Sequence, residues 1–283
     1  MYTFLIDVQQ HAFLQYALLT GILASLACGV IGTFVVVRRI TYIAGGISHS
    51  ILGGMGAALY MQKVHHWESA NPLLGALAAA IVSALVIGVV SLREKEREDT
   101  VIGAIWAVGM AVGILFISRT PGYNADLMSY LFGNILLVSA SDLWLLACLD
   151  VIVIAIAVVF YHQFLGVCFD DEFARLRGLR VEFYYLLLLC LTALTVVVLV
   201  TVVGIVMVIA LLTLPAAIAG FFSRSLRGMM ALSAVLCMAF ASSGLALSYG
   251  PDFPAGATTI VIAGAAYLLV ILSRRLLGRY AGG

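Results

Sequence analysis

Nine long runs of apolar residues, almost free of charge, leave this chain few folds to choose from. They lie near 13–37, 40–62, 72–92, 100–118, 142–161, 183–200, 202–221, 229–249 and 257–273. Each approaches the roughly 20 residues that an α-helix needs to cross the hydrocarbon core of a bilayer. Inside lipid every backbone polar group must find its partner within the protein, so such runs become helices. The stretch 183–221 has about twice the length of one span, and Gly204 can seed a tight turn between two helices. Another stretch, 126–138, is too short and too polar at its start to cross, and reads as a re-entrant or interfacial helix. Composition supports a membrane solvent: 64% of residues are hydrophobic and 10% charged, against roughly 25% charged in soluble domains. The expectation is an all-α polytopic transmembrane bundle of about nine spans, forming a single domain over 1–283.

Basic residues orient the bundle. With the N-terminus outside, inner loops and the C-terminus hold thirteen of the fifteen Lys and Arg residues, leaving Lys63 and Arg119 outside. That asymmetry is the positive-inside pattern, so the C-terminus is expected inside. The first ten residues lack a basic stretch and a cleavage site, so the first span reads as retained. A net charge of +1 gives no argument for a nucleic-acid partner. Cys28, Cys148, Cys168, Cys190 and Cys237 are isolated, without CxxC spacing, and read as small hydrophobes in packed helices. Small residues recur in the spans, at Ala44-Gly45-Gly46, Gly53-Gly54 and from Gly103 to Gly113, where they permit close backbone approach. Pro215 falls inside a span and removes one backbone hydrogen bond, producing a break or only a bend.

Ionisable groups inside lipid are costly and mark either a pathway or a polar contact between helices. His49, flanked by Ser48 and Ser50, lies near the middle of the second span. Its imidazole suits zinc, iron or manganese to differing degrees, or serves a hydrogen bond across a helix interface. Asp150 lies mid-span in 142–161. It fits a cation way-station, or equally a bond to a hydroxyl such as Thr192 or Thr195. Asp126, on the outer side, can cap a short helix or sit at a cation entrance. His65, His66 and Glu68 cluster in the outer loop after the second span. The inner loop from Asp170 to Arg180 has the parts of a short helix. Asp170 or Asp171 can cap it, Phe173 and Leu176 give it an apolar face, and Gly178 can end it. Arg175, Arg177 and Arg180 lie toward its C-terminal side, where the dipole favours cations. Such a helix rests on lipid headgroups or docks a cytoplasmic partner.

The sequence contains no GxxxxGK[ST] phosphate loop, no kinase-like residue set and no serine nucleophile elbow. The chain is therefore expected not to be an enzyme, and uphill transport needs energy from a partner or an ion gradient.

Four stretches, in this order and spacing, resemble the ABC-3 family of metal-ion permeases. They are Phe34 to Arg39 leading into Ser48-His49, Asp126 to Asn134, Asp171 to Gly178, and Val203 to Ala217. The resemblance implies a permease subunit of an ATP-driven importer of zinc, manganese or iron in a prokaryotic cell membrane. It also implies a homodimer of permeases, two cytoplasmic ATP-binding subunits and an extracellular metal-binding protein. By the same resemblance Glu172, Phe173, Arg175, Leu176, Arg177 and Gly178 belong to a cytoplasmic coupling helix near 171–178, and His49 approaches the translocation path. Asp150 and Asp126 join His49 as expected transient contacts of the ion. No cofactor is expected to stay bound; the divalent ion is the substrate. The chain has Gly45, Gly54 and Ser129 where many members carry Asp, a nearby Pro and His, which leaves fewer fixed ligands. Zinc leads, with manganese close behind. A secondary transporter coupled to protons or sodium is the rival reading, distinguished by its independence of an ATPase.

Overall fold

The computed structural model describes residues 2–67, 69–93, 98–121, 133, 138–251 and 253–280. Every regular element among them is helical: α1 Tyr2–Gln10, α2 Ala12–Val37, α3 Thr41–Val64, α4 Pro72–Arg93, α5 Glu98–Ser118, α6 Ala140–Val159, α7 Tyr161–Phe169, α8 Asp171–Leu176, α9 Val181–Val203, α10 Ile205–Phe222, α11 Leu226–Tyr249 and α12 Ala255–Tyr280. Eight of these are long and apolar enough to cross a membrane. The helix α3 is not among the eight, although its 24 residues span about 36 Å at 1.5 Å per residue. Its glycines, serines and His49 lower its hydropathy.

Two groups of helices share one long core element. In the first, α3 packs between α4 and α5; in the second, α2 packs against α6, α10 and α11, with α12 on α10 and α11. The helix α9 touches α3 and α4 on one side and α2, α6 and α10 on the other. Glycines set how closely these helices approach. A Cβ on Gly53 would lie 2.8 Å from the Gly109 carbonyl oxygen, and one on Gly56 2.7 Å from that of Gly113. Gly54 and Gly75 face each other so that a Cβ on either would strike the other's carbonyl. The same holds between α2 and α11, where a Cβ on Gly29 would meet Ala234 at 2.6 Å. Between helices already surrounded by hydrocarbon, this close van der Waals fit is the main source of association.

Polar caps move several helix ends beyond the apolar runs. Ser139 and Asp142 form a reciprocal capping box, which starts α6 at Ala140 rather than at 142. Ser225 accepts from the Gly228 N–H at 3.2 Å and starts α11 at Leu226 rather than at 229. The sequence reading also missed α1, which is tied down by the Tyr249 hydroxyl donating to Asp7 Oδ2 at 3.0 Å. Between α2 and α3 the chain turns through a Schellman motif. Arg39 N–H donates to the Val36 carbonyl and Ile40 N–H to that of Val35, with Arg39 at φ 63°.

Gly204 separates α9 from α10 as a single residue at φ 85°, ψ 157°, a conformation essentially confined to glycine. Tyr185 of α9 and Ala216 of α10 both lie near the C-terminal end of α2, so the two helices form an antiparallel hairpin. Gly133 packs against the Val203–Gly204 backbone; most of 126–138 lies outside the described residues.

Pro215 produces no break, because α10 runs through it. The carbonyl that loses its donor is four residues earlier, at Leu211. It accepts instead from the Cys237 thiol of α11 at 3.2 Å. Cys237→Ala therefore orphans a buried carbonyl, and a loss of about 1–2 kcal/mol is expected. Thermal unfolding in detergent should show a lowered midpoint for this variant and an unchanged one for Cys148→Ala, whose side chain is exposed.

Candidate functional site

On α3, Tyr42, Gly45 and His49 follow one another at i, i+3 and i+7, which places them on one helix face. Trp106 of α5 lies along that face. Its indole stacks on the His49 imidazole with ring centroids 4.2 Å apart and planes 14° from parallel. Tyr42 approaches the same indole at 6.0 Å. The room comes from Gly45, where a Cβ would sit 3.3 Å from Trp106 Cζ3.

The hydroxyls beside His49 are already committed. Ser48 Oγ donates to the Ala44 carbonyl at 2.7 Å and Ser50 Oγ to that of Ile47 at 2.7 Å. Ser83 Oγ of α4 donates to Ser50 Oγ at 2.8 Å. His49 itself is 8% exposed, and its Nδ1 is buried with no hydrogen-bond partner among the described residues. The interface hydrogen bond that one reading of His49 required is therefore not made through Nδ1.

Asp150 sits in the other helix group. It is 5% exposed on α6, beside the Ala27 backbone amide of α2, and its Oδ2 has no partner among the described residues. Thr192 Oγ1 donates to the Leu188 carbonyl at 2.9 Å, and Thr195 Oγ1 is unpartnered, so neither bonds Asp150. No hydrogen bond or ion pair joins Asp150 to His49 among the described residues. Asp126 and Glu68 lie outside those residues. His65 follows α3 with its ring edge-on to Tyr60 at 5.5 Å, and His66 adopts φ 53°. Among the described residues no three His, Cys, Asp or Glu side chains come close enough to hold a metal ion together.

The second arrangement lies where the chain returns through α7 and α8. Asp170 caps α8 by accepting from the Phe173 N–H at 2.9 Å. Gly178, at φ 78°, closes it in a Schellman motif, with Leu179 N–H donating to the Ala174 carbonyl. Ala174 is buried, whereas Phe173 is 54% and Leu176 86% exposed. The Arg177 guanidinium lies 5.2 Å from the Phe173 ring centre, and Arg175 is 3.8 Å from Glu182. Phe173 and Leu176 thus project from a short capped helix, with the Arg177 guanidinium against the Phe173 ring.

This helix is tied to the bundle. Arg38 Nη2, at the end of α2, pairs with Asp171 Oδ2 at 2.6 Å. The same guanidinium lies 5.3 Å from the Tyr185 ring centre, and the Tyr185 hydroxyl shares a 3.0 Å hydrogen bond with Ser91 of α4. Four elements therefore meet beside a cavity of about 510 Å³ whose lining includes Arg38, Arg39, Glu98, Asp171, Glu172 and Arg175. On α7, burial pushes the Cys168 thiol up to about 12, so it stays protonated and unreactive at neutral pH. Sequence reasoning missed Trp106 and the Arg38–Asp171 pair. A tryptophan in mid-span rather than at a membrane interface was the available signal for the first.

Eight long apolar helices around a buried imidazole, with a short capped helix projecting at one end, define the class: a polytopic helical membrane protein. The family model for the ABC 3 transport family matches residues 10–274. The manganese transport system membrane protein MntC of Listeria monocytogenes is 35% identical over 270 residues, covering 95% of this chain and 93% of that protein. A membrane protein of Synechocystis sp. is 44% identical over 271 residues, covering 96% of this chain and 94% of its own. Among solved structures, a chain of PsaBC from Streptococcus pneumoniae in complex with Fab superposes with a TM-score of 0.83 at 28% identity, covering 95% and 94%. The chain belongs to the ABC 3 transport family and is the permease subunit of an ABC-type divalent metal-ion importer.

Proposed function

We propose that the imported ion passes His49 and that zinc is its best substrate. The observation that carries this is the buried His49 imidazole, whose Nδ1 has no partner among the described residues. An ionisable group buried inside a membrane span is costly and marks a pathway or a polar contact. Imidazole without neighbouring carboxylates suits zinc better than manganese, which favours oxygen ligands. The manganese reading is favoured by the Listeria relative, a manganese transport system membrane protein.

The reading extends to the assembly. Nine spans, with α3 counted as the ninth, put the N-terminus outside and the basic inner loops inside a bacterial plasma membrane. Two copies form the pore, two cytoplasmic ATP-binding subunits drive it, and an extracellular protein delivers the ion. The helix α8 docks on the ATP-binding subunit through Phe173, Leu176 and the surrounding arginines. Asp150 and Asp126 act as transient contacts. Release inward requires weak binding at each contact, which fits a sparse ligand set.

The test is uptake of radioactive zinc and manganese into vesicles holding this chain, its ATP-binding subunit and the loaded delivery protein. Zinc uptake that requires ATP is expected, with at least a tenfold loss in His49→Ala while the complex still assembles. Manganese uptake in preference to zinc would reverse the order of the metals. Uptake driven by an ion gradient without the ATP-binding subunit would support a secondary transporter and sink the proposal.

A further inference from the structure

We infer that Trp106 is a positioning residue for His49, its indole face holding the imidazole plane and backing it electronically while the ring carries the ion. The inference rests on the reading that the ion passes His49.

Three observations converge on it. Histidines that bind metals are almost always oriented by a hydrogen bond from their second ring nitrogen to a neighbouring acceptor. Here Nδ1 is buried without such a partner among the described residues, so something else must fix the ring. The near-parallel stack at 4.2 Å and 14° does so, because a ring confined face to face with an indole cannot rotate about its last torsion without losing the contact. The stack is also built for. Gly45 is one helical turn below His49 on the same face of α3, and any side chain there would crowd the indole at 3.3 Å. Tyr42, two turns below His49 on that face, also approaches the indole, at 6.0 Å.

The electronic consequence follows from the charge. An imidazole nitrogen that coordinates a divalent cation loses electron density, and its ring takes on part of the positive charge. The face of an indole attracts such a ring more strongly than a neutral one, and more so in a desolvated site. Trp106 therefore favours the ion-loaded form of His49 over the empty one without adding a ligand. That suits a site meant to hold an ion briefly.

Two arms test this in the whole chain. The first compares wild type, Trp106→Phe and Trp106→Leu in the reconstituted uptake assay, with whichever of zinc and manganese the wild type imports. Leucine fills much of the space but has no π face; phenylalanine keeps a smaller one. Expected uptake falls in the order Trp, Phe, Leu. The leucine variant should lose about tenfold or more, as a desolvated cation–π contact does, with assembly and unfolding midpoint close to wild type. The second arm uses fluorescence. Trp67 and Trp144 are both exposed, and Trp67→Phe with Trp144→Phe leaves Trp106 as the one tryptophan of three. In lipid nanodiscs the transported ion should change the emission of this variant, and His49→Ala should abolish the change. A role in packing alone predicts no ion-dependent emission. Wild-type-like uptake in Trp106→Leu, or emission indifferent to the ion while uptake still requires His49, would overturn the inference and leave the path intact. A wild type that imports neither ion would remove the path and this inference with it.

Discussion

Gly54→Leu will yield no folded permease, whereas Gly103→Ala, in the neighbouring helix of the same group, will fold as well as wild type or better. Both glycines lie in membrane-spanning stretches, but their surroundings differ. A Cβ on Gly54 would strike the Gly75 carbonyl and come within 2.5 Å of Ala79 Cβ, and the reciprocal Cβ on Gly75 would lie 2.7 Å from Ala58 Cβ. The obstructing carbonyl is backbone, so it cannot swing aside as the end of a flexible side chain could. Overpacking a well-filled core costs about 1–3 kcal/mol and occasionally more. Here a four-carbon side chain must force α3 away from α4, which also strains the seam of α3 with α5 at Gly53 and Gly109. A total cost above about 4 kcal/mol is expected, which is exceptional for one substitution. Gly103 has nothing within 4 Å of its missing Cβ, so alanine adds helix propensity worth about 1 kcal/mol in water and meets no clash. Size-exclusion profiles and unfolding midpoints of the two variants check the contrast. A monodisperse Gly54→Leu protein with a wild-type midpoint would show that the α3–α4 seam yields easily.

That contrast marks how far the sequence can be read. The apolar runs were legible because lipid makes helix the only affordable answer, and the positions of His49 and Asp150 stood out because ionisable groups are rare at that depth. Which glycines touch a neighbour was not legible, since Gly103 and Gly109 look alike until α5 is rotated against α3. Helix ends shifted where Ser139 and Ser225, polar residues outside the runs, supplied caps, the first together with Asp142. Pro215 announced a lost hydrogen bond, but the thiol that makes it good is 26 residues from the orphaned carbonyl. Trp106 stood out only as a tryptophan in mid-span, and nothing local ties it to His49. Asp170 and Gly178 were the exception, because cap and stop are local chemistry and both appear where the residues placed them.

Arg38→Ala is expected to reduce metal uptake severely while leaving ATP hydrolysis by the assembled complex largely intact. The reason is the path a force must take if α8 is the coupling helix. Arg38 and Asp171 are 133 residues apart in sequence but joined at 2.6 Å, with side chains only 23% and 28% exposed. The guanidinium also lies against Tyr185, which is bound to Ser91, so one cation connects α8 with α2, α9 and α4. Through the three-residue elbow at Arg38–Ile40 it connects directly to α3, which carries His49. Removing Arg38 leaves Asp171 with no ion-pair partner among the described residues, where its Oδ1 is already unpartnered. Loss of one member of a half-buried pair costs about 2–3 kcal/mol, enough to let α8 move without the bundle but not enough to unfold a domain of this size. The measured quantity is ions transported per ATP hydrolysed. Arg38→Lys keeps the charge without the planar fork and ring contact, and should recover part of that ratio. Tyr185→Phe, which loses only the hydroxyl bond to Ser91, should fall less than Arg38→Ala. If uptake and hydrolysis instead fell together, and by the same factor in all three variants, the contact would be a general support for assembly, and force would have to reach α3 by another route.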